Sequence, residues 1–395
     1  MASPPPIVIL SATRTPLGSF QGSLASVPAP RLGGFAIEGA VTRARVAPGA
    51  VTDVYMGNVL QAGAGQAPAR QAAMHAGVPA SARCVTINKV CGSGLEAVLC
   101  ASRALAAGDA DLAVAGGMES MSSAPYLLPK ARAGFRLGHQ QVVDSLIHDG
   151  LWDPYHQQHM GSCAEACAQK YGFTRAQQDA YAAESFRRAQ AAMSDGRTAQ
   201  EITSVEILDR KGEAFRVDRD EGPDKVNYDK IPTLKPAFEA GGTITAANAS
   251  TLNDGAAALV LATASRARAL GLTPVAQIIA AGGHAQDPKW FTTAPIAATQ
   301  AALRRAGWSI GDVDLWEINE AFSVVALAFM QEIGLAPDRV NVRGGAIALG
   351  HPIGCSGARI VVTLLAALRE RGGKRGVAAV CIGGGEGLAL AVELL

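Results

Sequence analysis

The stretch Val85-Thr86-Ile87-Asn88-Lys89-Val90-Cys91-Gly92-Ser93-Gly94 decides how this chain is read. An apolar, β-branched run breaks into glycine and serine and then enters an Ala/Leu-rich pattern over residues 94–107. That is a strand turning into a helix, the basic step of an α/β protein. The turn puts Cys91 at a helix N-terminus, where unpaired N–H groups and the helix dipole favour an anion. The expected consequence is a thiol of lowered pKa, a candidate nucleophile.

The same grammar recurs outward from this point. Residues 112–115 read as a buried strand ending at Gly116-Gly117; residues 358–371 read as a helix with a basic last turn, and 377–382 as another buried strand. Three short matches fall in the same order at nearly one offset. Asp53-Val54-Tyr55-Met56-Gly57-Asn58 resembles Asp314-Leu315-Trp316-Glu317-Ile318-Asn319, and Cys91-Gly92-Ser93-Gly94 resembles Gly354-Cys355-Ser356-Gly357. Val114-Ala115-Gly116-Gly117-Met118-Glu119 resembles Cys381-Ile382-Gly383-Gly384-Gly385-Glu386. A duplicated α/β chain with mostly buried sheets is the expectation.

Residues 123–248 differ. They gather most of the His, Pro, Tyr and charge, with a charged helix over 176–192 and a polar stretch over 217–236. Three units follow: a first half of residues 1–122 plus 249–273, an inserted loop domain of 123–248, and a second half of 274–395.

The bulk numbers agree with a globular chain of more than one core. The chain has 395 residues, 49% hydrophobic and 17% charged, with a net charge of +1. Such a balance gives no support to a nucleic-acid surface, though a few local Arg or Lys suffice for small phosphates. No apolar stretch is expected to reach the roughly 18 residues that span a bilayer. Met1-Ala2-Ser3-Pro4-Pro5-Pro6 carries no leader pattern and Glu393-Leu394-Leu395 no peroxisomal address, so a cytoplasmic location is expected. Seven scattered cysteines, an odd number with no Cys-x-x-Cys pair, argue for reduced thiols and against structural zinc.

Four polar positions fall at predicted strand ends or glycine-rich turns, where α/β proteins place their sites: Cys91, Asn319, His351 and Cys381. His351, between Gly350 and Pro352, is on a turn and suits proton abstraction from a thiol; it could equally be a turn histidine bonding the backbone. Cys381 opens Gly383-Gly384-Gly385, whose N–H groups can converge on one oxygen; the alternative is a buried structural cysteine. Asn319 can polarise a carbonyl or orient a water, or simply cap the next helix.

Together with Ser11-Ala12-Thr13-Arg14-Thr15-Pro16, Gly116-Gly117-Met118-Glu119-Ser120-Met121, His159-Met160-Gly161, Thr245-Ala246-Ala247-Asn248-Ala249-Ser250, Asn319-Glu320-Ala321-Phe322, the Gly350-to-Gly354 turn and Cys381-Ile382-Gly383-Gly384-Gly385, these positions resemble the thiolase family over essentially the whole chain. The likeness is greatest to its acetyl-CoA acetyltransferases. It implies a five-layered αβαβα core of two similar halves, with a loop domain inserted in the first that binds CoA.

It also implies an acyltransferase of lipid metabolism that condenses two acetyl-CoA reversibly to acetoacetyl-CoA and CoA. In that scheme Cys91 becomes acetylated, His351 takes its proton, and Cys381 is the acid/base on the α-carbon. Asn319 holds a water that forms one oxyanion hole with His351; the N–H groups of Cys91 and Gly383 form the other. The resemblance sets His159, Ser250, Ala246, Ala321 and Phe322 along the pantetheine arm of CoA, and Met160 against the acyl pocket. Lys130, Arg132 and Arg136 either meet the nucleotide phosphates or form a solvated basic face. No permanently bound cofactor and no metal are expected, CoA and acetyl-CoA being substrates and products. A homo-oligomer follows, a tetramer in the first instance and a dimer in the second, with no nucleic-acid or membrane partner.

The alternative within the family is a degradative 3-ketoacyl-CoA thiolase of broader chain length. A ketoacyl synthase of the same fold is disfavoured by Cys381, and a thiol-redox or acyl-CoA-binding protein by the presence of all four polar positions. Arg343 and Glu386 depart from the residues common in relatives, and both are expected close to the active-site loops. Asp220-Glu221-Gly222-Pro223-Asp224 lacks the tyrosine that serves potassium in ion-activated relatives, so no dependence on potassium is expected.

Overall fold

A computed structural model describes residues 4–208 and 212–395; Met1 to Ser3, on which part of the leader reading rests, lie outside them. Ten strands share one hydrogen-bonded sheet. In chain order they are β1 (Ile7–Arg14), β2 (Gly18–Ser19), β3 (Asp53–Gly57), β4 (Arg83–Ile87), β5 (Leu112–Ser120), β6 (Asn253–Thr263), β7 (Ala276–Ala285), β8 (Leu315–Ile318), β9 (Arg375–Ile382) and β10 (Glu386–Leu394). The path runs β8-β9-β10-β7-β1-β6-β5-β3-β4, with β2 beside β6.

The duplication is visible in this order. From β3 to β5 to β6 to β1 the pairings are parallel, antiparallel, antiparallel. From β8 to β9 to β10 to β7 they are the same. β4 lies parallel to β3, and its counterpart in the second half is reduced to a parallel bridge between Trp316 and Val340. The half-sheets join where β1 meets β7, from Ile7–Ile278 to Ile9–Ala276.

The helices that matter to the site are α1 (Ala29–Ala44), α2 (Pro68–His75), α3 (Ser93–Ala107), α4 (Met160–Tyr171), α5 (Arg175–Ser194), α6 (Ala294–Ala306), α7 (Ser323–Ile333) and α8 (Ile353–Arg371). α3 packs on α8, and the pair lies between the half-sheets; α1 and α2 cover the outer face of the first half-sheet, α6 and α7 that of the second. The result is five layers, helix-sheet-helix-sheet-helix. Strand periodicity explains it: on β6, Leu259 and Leu261 face the central helices while Ala258 and Val260 face α1. On β10, Leu388 and Leu390 face inward, Ala389 and Ala391 outward. Both faces are apolar because both are covered.

Glycines let the central helices touch backbone to backbone. A Cβ on Gly357 would stand 2.5 Å from Leu95 N, and one on Gly94 2.7 Å from Ala358 N. α8 therefore begins at Ile353, five residues before the start expected from sequence, because its glycines serve packing and do not break the helix. β5 likewise runs on through Gly116 and Gly117 to Ser120; Cβ atoms there would meet Ala257 O and Gly354 O at 2.0 Å.

The window Val90–Ala107 is apolar and long enough, by composition, to cross a membrane, contrary to the expectation that no stretch is. It is 56% buried and forms the central layer, which accounts for its apolar character.

Between β5 and β6 the chain forms α4, α5 and short two-stranded pieces. The capping box of Thr174 and Gln177 starts α5. A buried ion network ties this segment to both halves. Arg14 grips Asp220 through two bonds of 2.7 and 2.8 Å and Glu201 at 3.0 Å, while Arg343 bonds Glu201 and Glu370.

Candidate active site

The loop that carries Cys91 is braced at each residue. Asn88 Oδ1 accepts from Val90 N at 3.0 Å, and Ser93 Oγ accepts from Lys89 N at 2.8 Å and donates to Val90 O at 2.6 Å. Val90 sits at φ +46°, a region β-branched residues avoid. Such strain costs on the order of 1–3 kcal/mol and persists only where surrounding contacts enforce it. The enforced turn delivers Cys91 to the mouth of α3 with 9% of its surface exposed.

Burial, not the helix end, dominates this thiol. It pushes the Cys91 pKa up to about 11, with the N–H groups of Gly383 and of Cys91 itself pulling the other way. The expectation of a lowered pKa is therefore corrected: the resting residue is a thiol. The two opposing N–H groups both act on the Cys91 sulfur.

His351 lines the same cavity as Cys91. Its backbone N–H reaches Thr251 O and Asn253 Oδ1, both at 3.2 Å. Gly350, at φ +109°, must be glycine, since a Cβ would strike Asn253 Cγ at 2.1 Å. Burial and then the positive charge of Arg359 hold the imidazole pKa down to about 3, so it is neutral at rest. His351 Nδ1 lies 2.6 Å from Ser356 Oγ, and Ser356 Oγ donates to Pro352 O at 3.0 Å. Ser356 was not singled out from the sequence; the signal was a hydroxyl in the first turn of the helix after the histidine.

Asn319 follows β8, and its Nδ2 is 3.4 Å from His351 Nε2. It does not cap the next helix, whose start at Phe322 has no side-chain cap. Its Oδ1 is buried without a partner among the described residues. Cys381 ends β9, fully buried, with its pKa well above the ordinary thiol value through burial and then the neighbouring Cys91. The four candidate polar residues thus gather from four separate segments.

A cavity of about 990 Å³ opens onto Cys91, His351 and Gly383. His159, Met160, Ala246, Ser250, Ala321 and Phe322 all line it. His159 caps α4, accepting from Gly161 N at 3.1 Å through Nδ1, and stacks on Phe238 at 4.7 Å. Met160 Sδ lies 3.3 Å from where a Cβ on Gly383 would be, so it narrows the end beside the thiols.

Lys130, Arg132 and Arg136 are exposed and do not line the cavity; Lys225 and Lys230 do, and the sequence reading missed them. Arg343 is absorbed in the ion network with Glu201 and Glu370, and Glu386 pairs with Lys89, so neither departure lines the cavity. Among the described residues no three His, Cys, Asp or Glu side chains converge to hold a metal.

The paired thiols, the neutral imidazole and the long apolar cavity in a duplicated α/β frame define a cysteine-dependent acyl-transfer class of enzyme. Residues 7–265 match the family model described as the thiolase N-terminal domain, and 272–394 that of the thiolase C-terminal domain. The chain belongs to the thiolase family. It is 52% identical to Acetyl-CoA acetyltransferase 2 of Arabidopsis thaliana over 395 residues, covering 100% of this chain and 98% of the other. It is 53% identical to the Acetyl-CoA acetyltransferase of Cupriavidus necator over 388 residues, covering 98% and 99%. The crystal structure of the Bacillus anthracis acetyl-CoA acetyltransferase superposes with a TM-score of 0.97 at 39% identity, covering 100% of both chains.

Proposed function

We propose that this protein is an acetyl-CoA C-acetyltransferase, joining two acetyl-CoA into acetoacetyl-CoA and CoA and running the reverse thiolysis. The observation that carries the reading is the meeting of two N–H donors on the Cys91 sulfur, at the end of a cavity that also holds neutral His351.

The steps balance as follows. Cys91 gives its proton to His351 Nε2 and its sulfur attacks the thioester carbon. The carbonyl oxygen takes the negative charge against the N–H groups of Cys91 and Gly383, and the CoA thiolate leaves. That thiolate takes the proton of Cys381, leaving acetyl-Cys91, free CoA, protonated His351 and a Cys381 thiolate.

A second acetyl-CoA then loses an α-proton to Cys381. The high pKa of that buried thiol makes its anion a strong base, as a weakly acidic C–H requires. The enolate oxygen is held by His351 and a water on Asn319. The carbanion attacks acetyl-Cys91, acetoacetyl-CoA departs, and the Cys91 thiolate recovers its proton from His351. Splitting the exchange through a covalent thioester makes each barrier smaller.

CoA lies along the cavity past Ser250 and His159, its phosphates toward Lys225 and Lys230. Met160 beside Gly383 favours short acyl groups over the broader range of a degradative thiolase. No bound cofactor or metal enters the scheme. Tyr126, Leu128, Phe135, Leu137 and Val142 each expose apolar surface within one segment, which supports a homotetramer built through it. The location we assign is cytoplasmic. The test is cleavage of acetoacetyl-CoA by free CoA, followed by loss of enolate absorbance: turnover supports the reading, and none rejects it.

A further inference from the structure

Glu119 lies at the end of β5, fully buried, outside the scheme above. Its oxygens collect four N–H groups from two distant segments. Oε1 accepts from Asn58 Nδ2 at 2.7 Å and Leu60 N at 3.2 Å; Oε2 accepts from Val59 N at 3.0 Å and Gly354 N at 2.9 Å. Asn58 to Leu60 belong to the first half, directly after β3, while Gly354 lies in the first turn of α8, three residues after His351.

The surroundings leave no slack. A Cβ on Gly354 would stand 2.7 Å from Met118 O and 2.8 Å from Glu119 Oε2, and one on Gly57 would meet Gly354 O at 2.7 Å. Burial pushes the Glu119 pKa up to about 7 against the pull of its donors, and among the described residues no cation accompanies it. A group this costly to bury, with every hydrogen bond supplied by an N–H of known direction, is suited to fixing geometry.

We propose that Glu119 is a positioning residue for His351: it fastens the start of α8, and with it the histidine turn, to the half of the molecule that carries Cys91. The proposal rests on the acetyltransferase reading, since it concerns how the base meets the nucleophile. The proposed action is through reach; the Glu119 charge also raises the Cys91 thiol pKa, the last in order of the influences on that group, and Gln removes it. Glutamine in its place keeps a carbonyl acceptor for Val59 N and Gly354 N; its amide nitrogen then faces Asn58, whose side-chain amide must turn to present Oδ1, and Leu60 N loses its acceptor. Aspartate keeps the charge but retracts from Gly354 by one methylene.

The test compares Glu119→Gln and Glu119→Asp with wild type in acetoacetyl-CoA thiolysis, resolving kcat from KM. The expected order of kcat is wild type, then Gln within about 3-fold, then Asp lower by about 10-fold or more, as misplacement of a catalytic group predicts. KM should stay within about 3-fold in both, because Glu119 does not line the cavity. A purely structural role lowers melting temperature and leaves kcat of the folded variants alike. Equal kcat in all three proteins, or Asp outperforming Gln, overturns the proposal. An inactive wild type rejects the acetyltransferase reading instead, so the two failures are told apart.

Discussion

His351 Nδ1 lies 2.6 Å from Ser356 Oγ, and that hydroxyl spends its own hydrogen on Pro352 O. With that hydrogen on Pro352 O, Oγ accepts from the ring and the imidazole proton belongs on Nδ1. Nε2 is left as a lone pair toward Asn319 Nδ2, the tautomer a general base needs. Ser356→Ala should lower kcat by about 10- to 100-fold with little change in KM. Ser356→Thr should restore most of it, and steady-state kinetics of the two variants side by side is the check.

The resting site should hold a neutral thiol and a neutral imidazole. Burial places Cys91 at about 11, and burial with Arg359 places His351 at about 3. Iodoacetamide should accordingly alkylate Cys91 slowly at pH 7 and faster as pH rises through 9 and 10. A plateau in rate extending down to pH 5 would mean a preformed thiolate–imidazolium pair and contradict this account.

Met160 should limit acyl length. Its sulfur closes on Gly383 in the cavity that Cys91 also lines. Met160→Ala removes that wall and should raise kcat/KM for a six-carbon 3-ketoacyl-CoA relative to acetoacetyl-CoA by about 10-fold, the scale of one or two methylenes in an apolar pocket. An unchanged ratio would place the chain-length limit elsewhere.

Stability should depend on Glu201, which accepts from both Arg14 and Arg343. Burial alone raises its pKa, yet the two guanidiniums outweigh burial and hold it below the ordinary value. Glu201→Gln leaves two buried cations short of charge and should cost about 3–5 kcal/mol. A depressed carboxylate pKa stabilises the fold above the unfolded value, roughly 4.3, and that contribution fades as pH falls through the folded value. The melting-temperature gap between variant and wild type should therefore be full at pH 7 and narrow toward acid.

Much of this was legible from the chain itself. The strand-to-helix junction at Cys91, the repeat of Asp53–Asn58 in Asp314–Asn319, and the polar residues at strand ends are local features, and local periodicity reports them. What escaped depended on packing between distant segments. Gly116, Gly117 and Gly354 read as breaks but exist for backbone contact across the central layer. The Cys91 pKa went the opposite way because burial is a property of the assembled cavity, and a helix end visible in sequence does not reveal it. Arg343 looked like an active-site departure; its partners, Glu201 and Glu370, lie far from it in the chain.

The central claim is that two thiols divide the chemistry, and one comparison tests it. Cys91→Ala and Cys381→Ala are each incubated with acetyl-CoA in deuterated water, and acetylation of the protein and deuterium in the recovered acetyl group are read by mass spectrometry. The account predicts no acetyl-enzyme with Cys91→Ala. It predicts acetyl-Cys91 without α-deuterium exchange with Cys381→Ala. Full acetylation and turnover by Cys91→Ala, or wild-type exchange by Cys381→Ala, would contradict it.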